Sequence, residues 1–402
     1  MGFARTLLAL AALRAFLLRQ SYRWHQTLRR TLYLQLALDS NRKSAVYFVV
    51  EEIEFSTDEQ KPLTVIIGKN GGGKTTLVNA INWCFYENKP RGIKSDGSLP
   101  IINLSYLKEQ GKDKTARTSV TVILQVGDEQ YSISRTLTVM THDLEFEKTD
   151  DGLEILKMTI LNGYNIPSGY EILSDETTFV ILRKGPNDTD FHQISTEPNV
   201  KMNEILPRDL PVFFLDGEFL ESLGYNNQYQ DRLKQFSNQS VEQRANLVDK
   251  MNEFKGRSVN YRRHEMQNSK FIFDETGNLH LVRTDGLDEI VHLAAAESFF
   301  VNLIWVLAVK HFVAPNSFLV LDGITGRLSS DKMGTLMSLL FCLGDSSQII
   351  WLVSDYEWDV SSKPGSPQDG SGSSSPPTYP DLRELVLKKQ VLRKEYKIYF
   401  KH

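Results

Sequence analysis

The run Gly68-Lys69-Asn70-Gly71-Gly72-Gly73-Lys74-Thr75 holds the residues best suited to chemistry. It fits G-x-x-x-x-G-K-[ST], the pattern of a loop that cradles phosphate. Its glycines let successive backbone N–H groups turn toward an anion, and a helix N-terminus behind them adds partial positive charge. Lys74 would reach the β- and γ-phosphates of a nucleoside triphosphate, and the Thr75 hydroxyl would hold Mg²⁺. Far downstream, Ser317-Phe318-Leu319-Val320-Leu321-Asp322 is an apolar run that ends on a carboxylate. Alone, such a run is an ordinary buried strand. Beside a phosphate loop it has the shape of a Walker B site, with Asp322 orienting the Mg²⁺ shell. Pro211-Val212-Phe213-Phe214-Leu215-Asp216-Gly217-Glu218 also passes from apolar to acidic, where α/β sheets gather ligands.

The loop needs particular flanks. Leu63-Thr64-Val65-Ile66-Ile67 is apolar and β-branched, a buried strand. After the loop, Leu77, Ala80, Ile81, Cys84 and Phe85 recur on one face of a helix. Strand, glycine loop and helix together outweigh the plain alternative of a chance glycine-rich turn. Val46, Phe48, Val50, Ile53 and Phe55 alternate and predict one or two strands leading in. Thr118 to Val126 and Gln130 to Val139 predict a β-hairpin around Gly127-Asp128-Glu129. Leu153 to Leu161, Tyr170 to Leu173 and Thr178 to Leu182 add short strands. Asn226 to Lys255 is polar and helix-compatible, with no sustained heptad. Phe271 to Phe273 and Leu279 to Val282 predict a second hairpin. Leu293 to Lys310 reads as a buried helix stopped by Pro315-Asn316, Met333 to Leu343 as another helix, and Gln348 to Val353 as a buried strand.

At 402 residues the chain has room for two or three domains, or for one large α/β domain with insertions. Hydrophobic content of 41% and charged content of 24% are those of soluble globular proteins and suffice for a sizeable core. A net charge of −4 gives no global basic field, so any DNA contact must come from a local patch or a partner. Cys84 and Cys342 sit in apolar runs, as buried thiols rather than a disulfide. The eight histidines show no paired ligand spacing, and His292 reads as structural. Residues 1–38 carry six arginines and no acidic residue. Their apolar run, Leu7 to Leu13, is too short to span a bilayer. Such a segment suits a transit peptide; a surface helix, or a translated stretch outside the fold, is preferred because nothing later implies an organelle. Residues 361–380 are 15 of 20 Ser, Gly or Pro, a flexible linker. Residues 381–402 carry seven Lys/Arg against three Asp/Glu, which reads as a solvated face rather than a phosphate contact. Tyr396, Ile398 and Phe400 alternate there like an edge strand.

Lys74 and Asp322 lie 248 residues apart, farther than the same two groups in kinases and small GTPases. The matching blocks are Ile66 to Trp83, Phe213 to Glu218, Leu293 to Glu297 and Leu321 to Leu328. They resemble the ABC-type ATPase heads of the SMC/SbcC/RecF group, most of all the DndD-like ATPases of DNA sulfur modification and related phage-defence ATPases. The resemblance covers most of residues 44–360 in scattered blocks. It implies an α/β fold: a P-loop NTPase with a mixed sheet, an antiparallel β subdomain and flanking helices. It further implies ATP and Mg²⁺ as cofactors, with Lys74 and Asp322 catalytic and Thr75 and Asp322 on the metal. Gly68, Lys69, Asn70, Gly71, Gly72, Gly73, Lys74, Thr75 and Thr76 would hold the nucleotide, with Asn103 in the place of the Q-loop residue and Ser354-Asp355 in the switch region. Two heads, as a homodimer or a heterodimer, would sandwich ATP, each meeting the other's signature at Ala294, Ala296 and Glu297. Such a protein works in the cytoplasm, on DNA directly or through a partner, and not in a membrane.

On that pattern the chain divides into an Arg-rich segment (1–43) outside the fold, a first half-head (44–224), a short helical remnant in place of a coiled-coil arm (225–265), a second half-head (266–360), the linker and the basic tail. It also departs from the family. Leu293-Ala294-Ala295-Ala296-Glu297 lacks the signature's Ser at Ala294 and its Gly at Ala296, where a Cβ hinders close backbone approach. Gly323 follows Asp322, where most ABC enzymes carry a Glu; DndD-like proteins share that lack. Only 70 residues separate Leu223 from Leu293, so the arm is missing. Two functions compete. One is an ATPase head acting with DNA in modification, phage defence or break repair. The other is a nucleotide-gated interaction module that hydrolyses little. A small-molecule kinase or GTPase would need an acceptor site or an Asn-Lys-x-Asp motif, and the chain has no such motif.

Overall fold

The computed structural model describes residues 30–35, 55, 63–68, 74–87, 115–142, 145–148, 152, 154–161, 164–173, 177–194, 197–206, 213–217, 220, 223, 241–257, 269–275, 278–288, 290, 293–324, 336, 339–340, 343, 347–354 and 392–393. In chain order the elements are β1 (Arg30–Gln35), β2 (Leu63–Gly68), α1 (Lys74–Tyr86), β3 (Thr115–Val126), β4 (Glu129–Thr141), β5 (Phe146–Lys148), β6 (Glu154–Leu156), β7 (Met158–Leu161), β8 (Tyr164–Pro167), β9 (Tyr170–Ile172), β10 (Thr178–Lys184) and β11 (His192–Gln193). There follow α2 (Pro198–Ile205), β12 (Phe214–Asp216), α3 (Val241–Arg257), β13 (Ser269–Phe273), β14 (Leu279–Arg283), α4 (Ala295–Val313), β15 (Leu319–Asp322), β16 (Ile349–Ser354) and β17 (Leu392–Arg393).

The expected combination of parallel and antiparallel strands is present, sorted into separate sheets. The first is antiparallel, in the order β1-β3-β4-β10-β11, with β9 beside β4. Its centre is the hairpin read from Thr118 to Val139. Gly127, at φ 61, fills the first of two turn positions, where a type II′ turn needs glycine. Along β3 and β4 one face is buried (Val120, Val122, Leu124, Tyr131, Ile133, Leu137). The other carries hydroxyl pairs, Ser119 with Thr136 at 3.0 Å and Thr121 with Ser134 at 2.8 Å. This is the period-2 alternation of a half-buried sheet. Arg30–Gln35 pair with β3, so this part of the Arg-rich segment belongs to the sheet and not outside the fold. Leu153 to Leu161 forms two strands, β6 and β7, each in its own ribbon with β5 and β8 respectively.

The second sheet is wholly parallel, in the order β12-β15-β16-β2-β17. Its strands β2, β12, β15 and β16 are largely buried and apolar, as parallel strands covered by helices must be. Between the sheets lies α1, whose residues Ile81 to Tyr86 are all buried. Its last turn meets both layers. The Cys84 thiol lies 3.3 Å from Ile133 O, and Arg135 Nε donates to Cys84 O at 3.2 Å. The Arg135 guanidinium stacks 3.8 Å over the Phe179 ring. Phe85 packs on Phe214 and Phe318, at the starts of β12 and β15. Glu87, at φ 62, closes the helix by donating its N–H to Trp83 O at 2.9 Å.

The predicted buried helix is α4, with residues 299–309 in the core. Its C-terminal Lys310 is fully buried and donates to Ala314 O, Ser317 O and Ser347 Oγ at 3.2, 3.0 and 2.9 Å. Those oxygens precede β15 and β16, so one ammonium ties the helix end to the bases of two strands. Nearby, α3 packs on α4, with His311 edge-on to Phe254. The hairpin β13–β14 docks on α3 through Asn252, which accepts from Phe271 N at 3.0 Å and donates to Phe271 O at 3.3 Å. No described helix is long and apolar enough to cross a membrane. The expected strands at 44–54 and 396–400 and the linker at 361–380 lie outside the described residues.

Candidate nucleotide site

Parallel strands end on one side, and that edge collects the residues singled out above. Gly68 closes β2 and stands level with Ser354 at the end of β16. Asp322 closes β15, level with Leu352 of β16 and so two residues below Ser354. Asp216 closes β12 directly beside Asp322. Neighbouring strands run about 4.8 Å apart, so the two residues share one level of adjacent strands. Asp322 is buried and Asp216 half-buried.

Lys74 and Thr75 open α1, as a strand–loop–helix unit requires. Lys74 Nζ donates to Gly68 O at 2.8 Å, so the ammonium already lies at the exit of β2. The Thr75 side chain is exposed. Residues 69–73 and Asn103 lie outside the described residues, and Thr76 is placed within α1. The donor set of Thr75 hydroxyl and Asp322 and Asp216 carboxylates consists of hard oxygens, the kind Mg²⁺ selects. Asp216 was visible in the sequence as the acid ending an apolar run and as part of the Phe213 to Glu218 block, without an assigned metal role. Its partner stands 106 residues away, and the register that joins them has no local signal.

Ala294 is the N-cap of α4, and Ala296 lies in its first turn. Ala294 and Ala295 are exposed and carry no hydroxyl. Glu297 is 7% exposed and turned onto its own helix end, where its Oε2 accepts the Ala294 N–H at 3.0 Å. That carboxylate offsets the positive end of the helix dipole from within. Gly323, after Asp322, is exposed and has φ 61. Burial pushes the Cys84 thiol up to about 12, so it is an inert packing group as expected. Cys342 and His292 lie outside the described residues. Among the described residues no cluster of three or more His, Cys, Asp or Glu could hold a metal.

The solved structures that the chain is similar to include three SMC heads. One is an SMC head domain from Thermotoga maritima, at 14% identity and a TM-score of 0.41, covering 82% of this chain and 90% of that one. Another is an Smc head bound to the C-terminal winged-helix domain of ScpA, at 14% identity and a TM-score of 0.43, with the same coverage. The third is an Smc head with an extended coiled coil, bound to the C-terminal domain of ScpA, from Pyrococcus furiosus. It gives 10% identity and a TM-score of 0.41 over 83% of this chain and 91% of that one. No curated protein matches the chain. A family model described as an AAA domain matches residues 47–269, more than half of the length. That span takes in the strand–loop–helix unit and the strand ending at Asp216, and the chain belongs to the AAA domain family.

Proposed function

We propose that this chain is an ATP-binding head of the SMC type that acts on or with DNA, in DNA modification, phage defence or double-strand break repair. One observation carries the nucleotide reading: β2, β15 and β12 end on the same edge of a parallel sheet, with Gly68, Asp322 and Asp216 on it. The backbone of residues 68–73 and the start of α1 hold the phosphates, and Lys74 neutralises the β- and γ-oxygens. Thr75 and Asp322 would hold Mg²⁺, with Asp216 beside them, and the ion would supply positive charge against the charge that develops on the phosphate. Two heads close on ATP through the faces that carry Ala294, Ala296 and Glu297. The protein works in the cytoplasm, meeting DNA through a partner or a local basic patch.

The test is calorimetric titration with Mg·ATP, followed by turnover with and without DNA. The expected result is binding by the wild type, loss of binding in Lys74→Ala, and turnover raised by DNA. A wild type that ignores ATP overturns the nucleotide reading; turnover indifferent to DNA overturns the DNA role. The competing reading, an interaction module gated by bound ATP with very slow turnover, rests on Gly323 and the Ala294–Glu297 helix start. Single-turnover measurement separates the two.

A further inference from the structure

From Phe299 to Val309 every residue of α4 is apolar except Asn302. An amide in such a stretch is costly to bury unless it is bonded. Asn302 is 8% exposed, and its Nδ2 donates to Leu220 O at 2.8 Å. Leu220 lies four residues past Asp216. Gly217, Leu220 and Leu223 are all buried. The chain leaving β12 is therefore tied to α4 by a directed bond at Leu220. A hydrophobic contact would allow that segment to slide; a hydrogen bond to one carbonyl fixes its height above the sheet.

We propose that Asn302 is a positioning residue for the metal edge: through the Leu220 carbonyl it sets the height of Asp216 beside Asp322. This rests on the nucleotide reading above. It joins the helix that begins at Ala294 to the carboxylate pair, so a shift of α4 is felt at Asp216. Mg²⁺ tolerates little departure from its preferred geometry, so a small displacement of one carboxylate costs affinity.

The experiment measures ATP affinity by calorimetry with Mg²⁺ and with EDTA, for wild type, Asn302→Leu, Asp216→Asn and the double variant. Asn302→Leu keeps the volume and removes the donor. The expected outcome is about a tenfold loss of affinity with Mg²⁺ and none in EDTA, with no further loss when Asn302→Leu is added to Asp216→Asn. Equal losses in both media, or additive losses in the double variant, would reduce Asn302 to a structural residue and overturn the proposal. Hydrogen exchange on the wild type gives a second readout that needs no variant. Residues 213–223 should gain protection with Mg·ATP and not with ATP in EDTA, and equal protection in both overturns the proposal. A wild type that binds no ATP at all instead defeats the nucleotide reading itself.

Discussion

Gly323 shows how a single backbone angle constrains chemistry. The family resemblance makes it the replacement for a water-polarising Glu. In the structure it takes φ 61 just after Asp322, with open space where a Cβ would stand. The left-handed region costs a side-chain-bearing residue about 1–2 kcal/mol, so the turn out of β15 is built for glycine. Gly323→Ala should lower stability by about 1 kcal/mol in urea unfolding, through backbone strain and not through crowding. An unchanged midpoint would mean that the turn re-forms at no cost. Glu297 teaches a related lesson. Its residue type fits a signature motif, yet its carboxylate is engaged by Ala294 N–H of the same helix. Sequence gives the type of a residue at such a place; only the fold gives the direction in which it points.

At the scale of elements, Lys310 matters most. Its ammonium is held by three oxygens at the bases of β15 and β16, and it is fully buried. Lys310→Met preserves the stem and removes the donor to Ser317 O and Ser347 Oγ, while Ala314 O keeps the N–H and hydroxyl of Ser317, and Ser347 Oγ keeps its bond to Pro315 O. It should cost about 2 kcal/mol in denaturant unfolding, since a buried acceptor left unmet costs about 1–3 kcal/mol. A loss under about 1 kcal/mol would show that the strand bases hold without the ammonium. The elements themselves were largely legible. The β3–β4 hairpin, the β13–β14 hairpin and α4 follow from local alternation, turn residues and an apolar run, with ends shifted by a few residues. The order of the parallel sheet was not. Leu63 pairs with Ile349 and Phe214 with Val320, and nothing local in either strand encodes such distant partners. For the same reason Asp322 could be read from its strand and Asp216 could not be joined to it.

Across the whole molecule, α1 is shared between two sheets, and α3 braces α4. That brace carries a pH signature. Burial, aided by Lys250, holds the His311 imidazole down at about 4, below its ordinary 6.5. The unfolded chain therefore takes up a proton between about pH 6.5 and 4 that the folded chain refuses. Stability at that site is complete above pH 6.5 and is lost as the pH falls toward 4. His311→Gln should flatten the fall in urea midpoint between pH 7 and pH 4.5 relative to the wild type. Parallel profiles for the two proteins would assign the acid loss to other groups. Asn252, finally, has an importance beyond the hairpin it seats. Its amide takes both the donor and the acceptor of Phe271 on the rim of β13 that faces away from β14. An open rim of that kind would offer a foreign strand a place to zip on. With the amide in place that rung is closed, and the pair of strands is guarded there against edge-to-edge aggregation while the chain is folded.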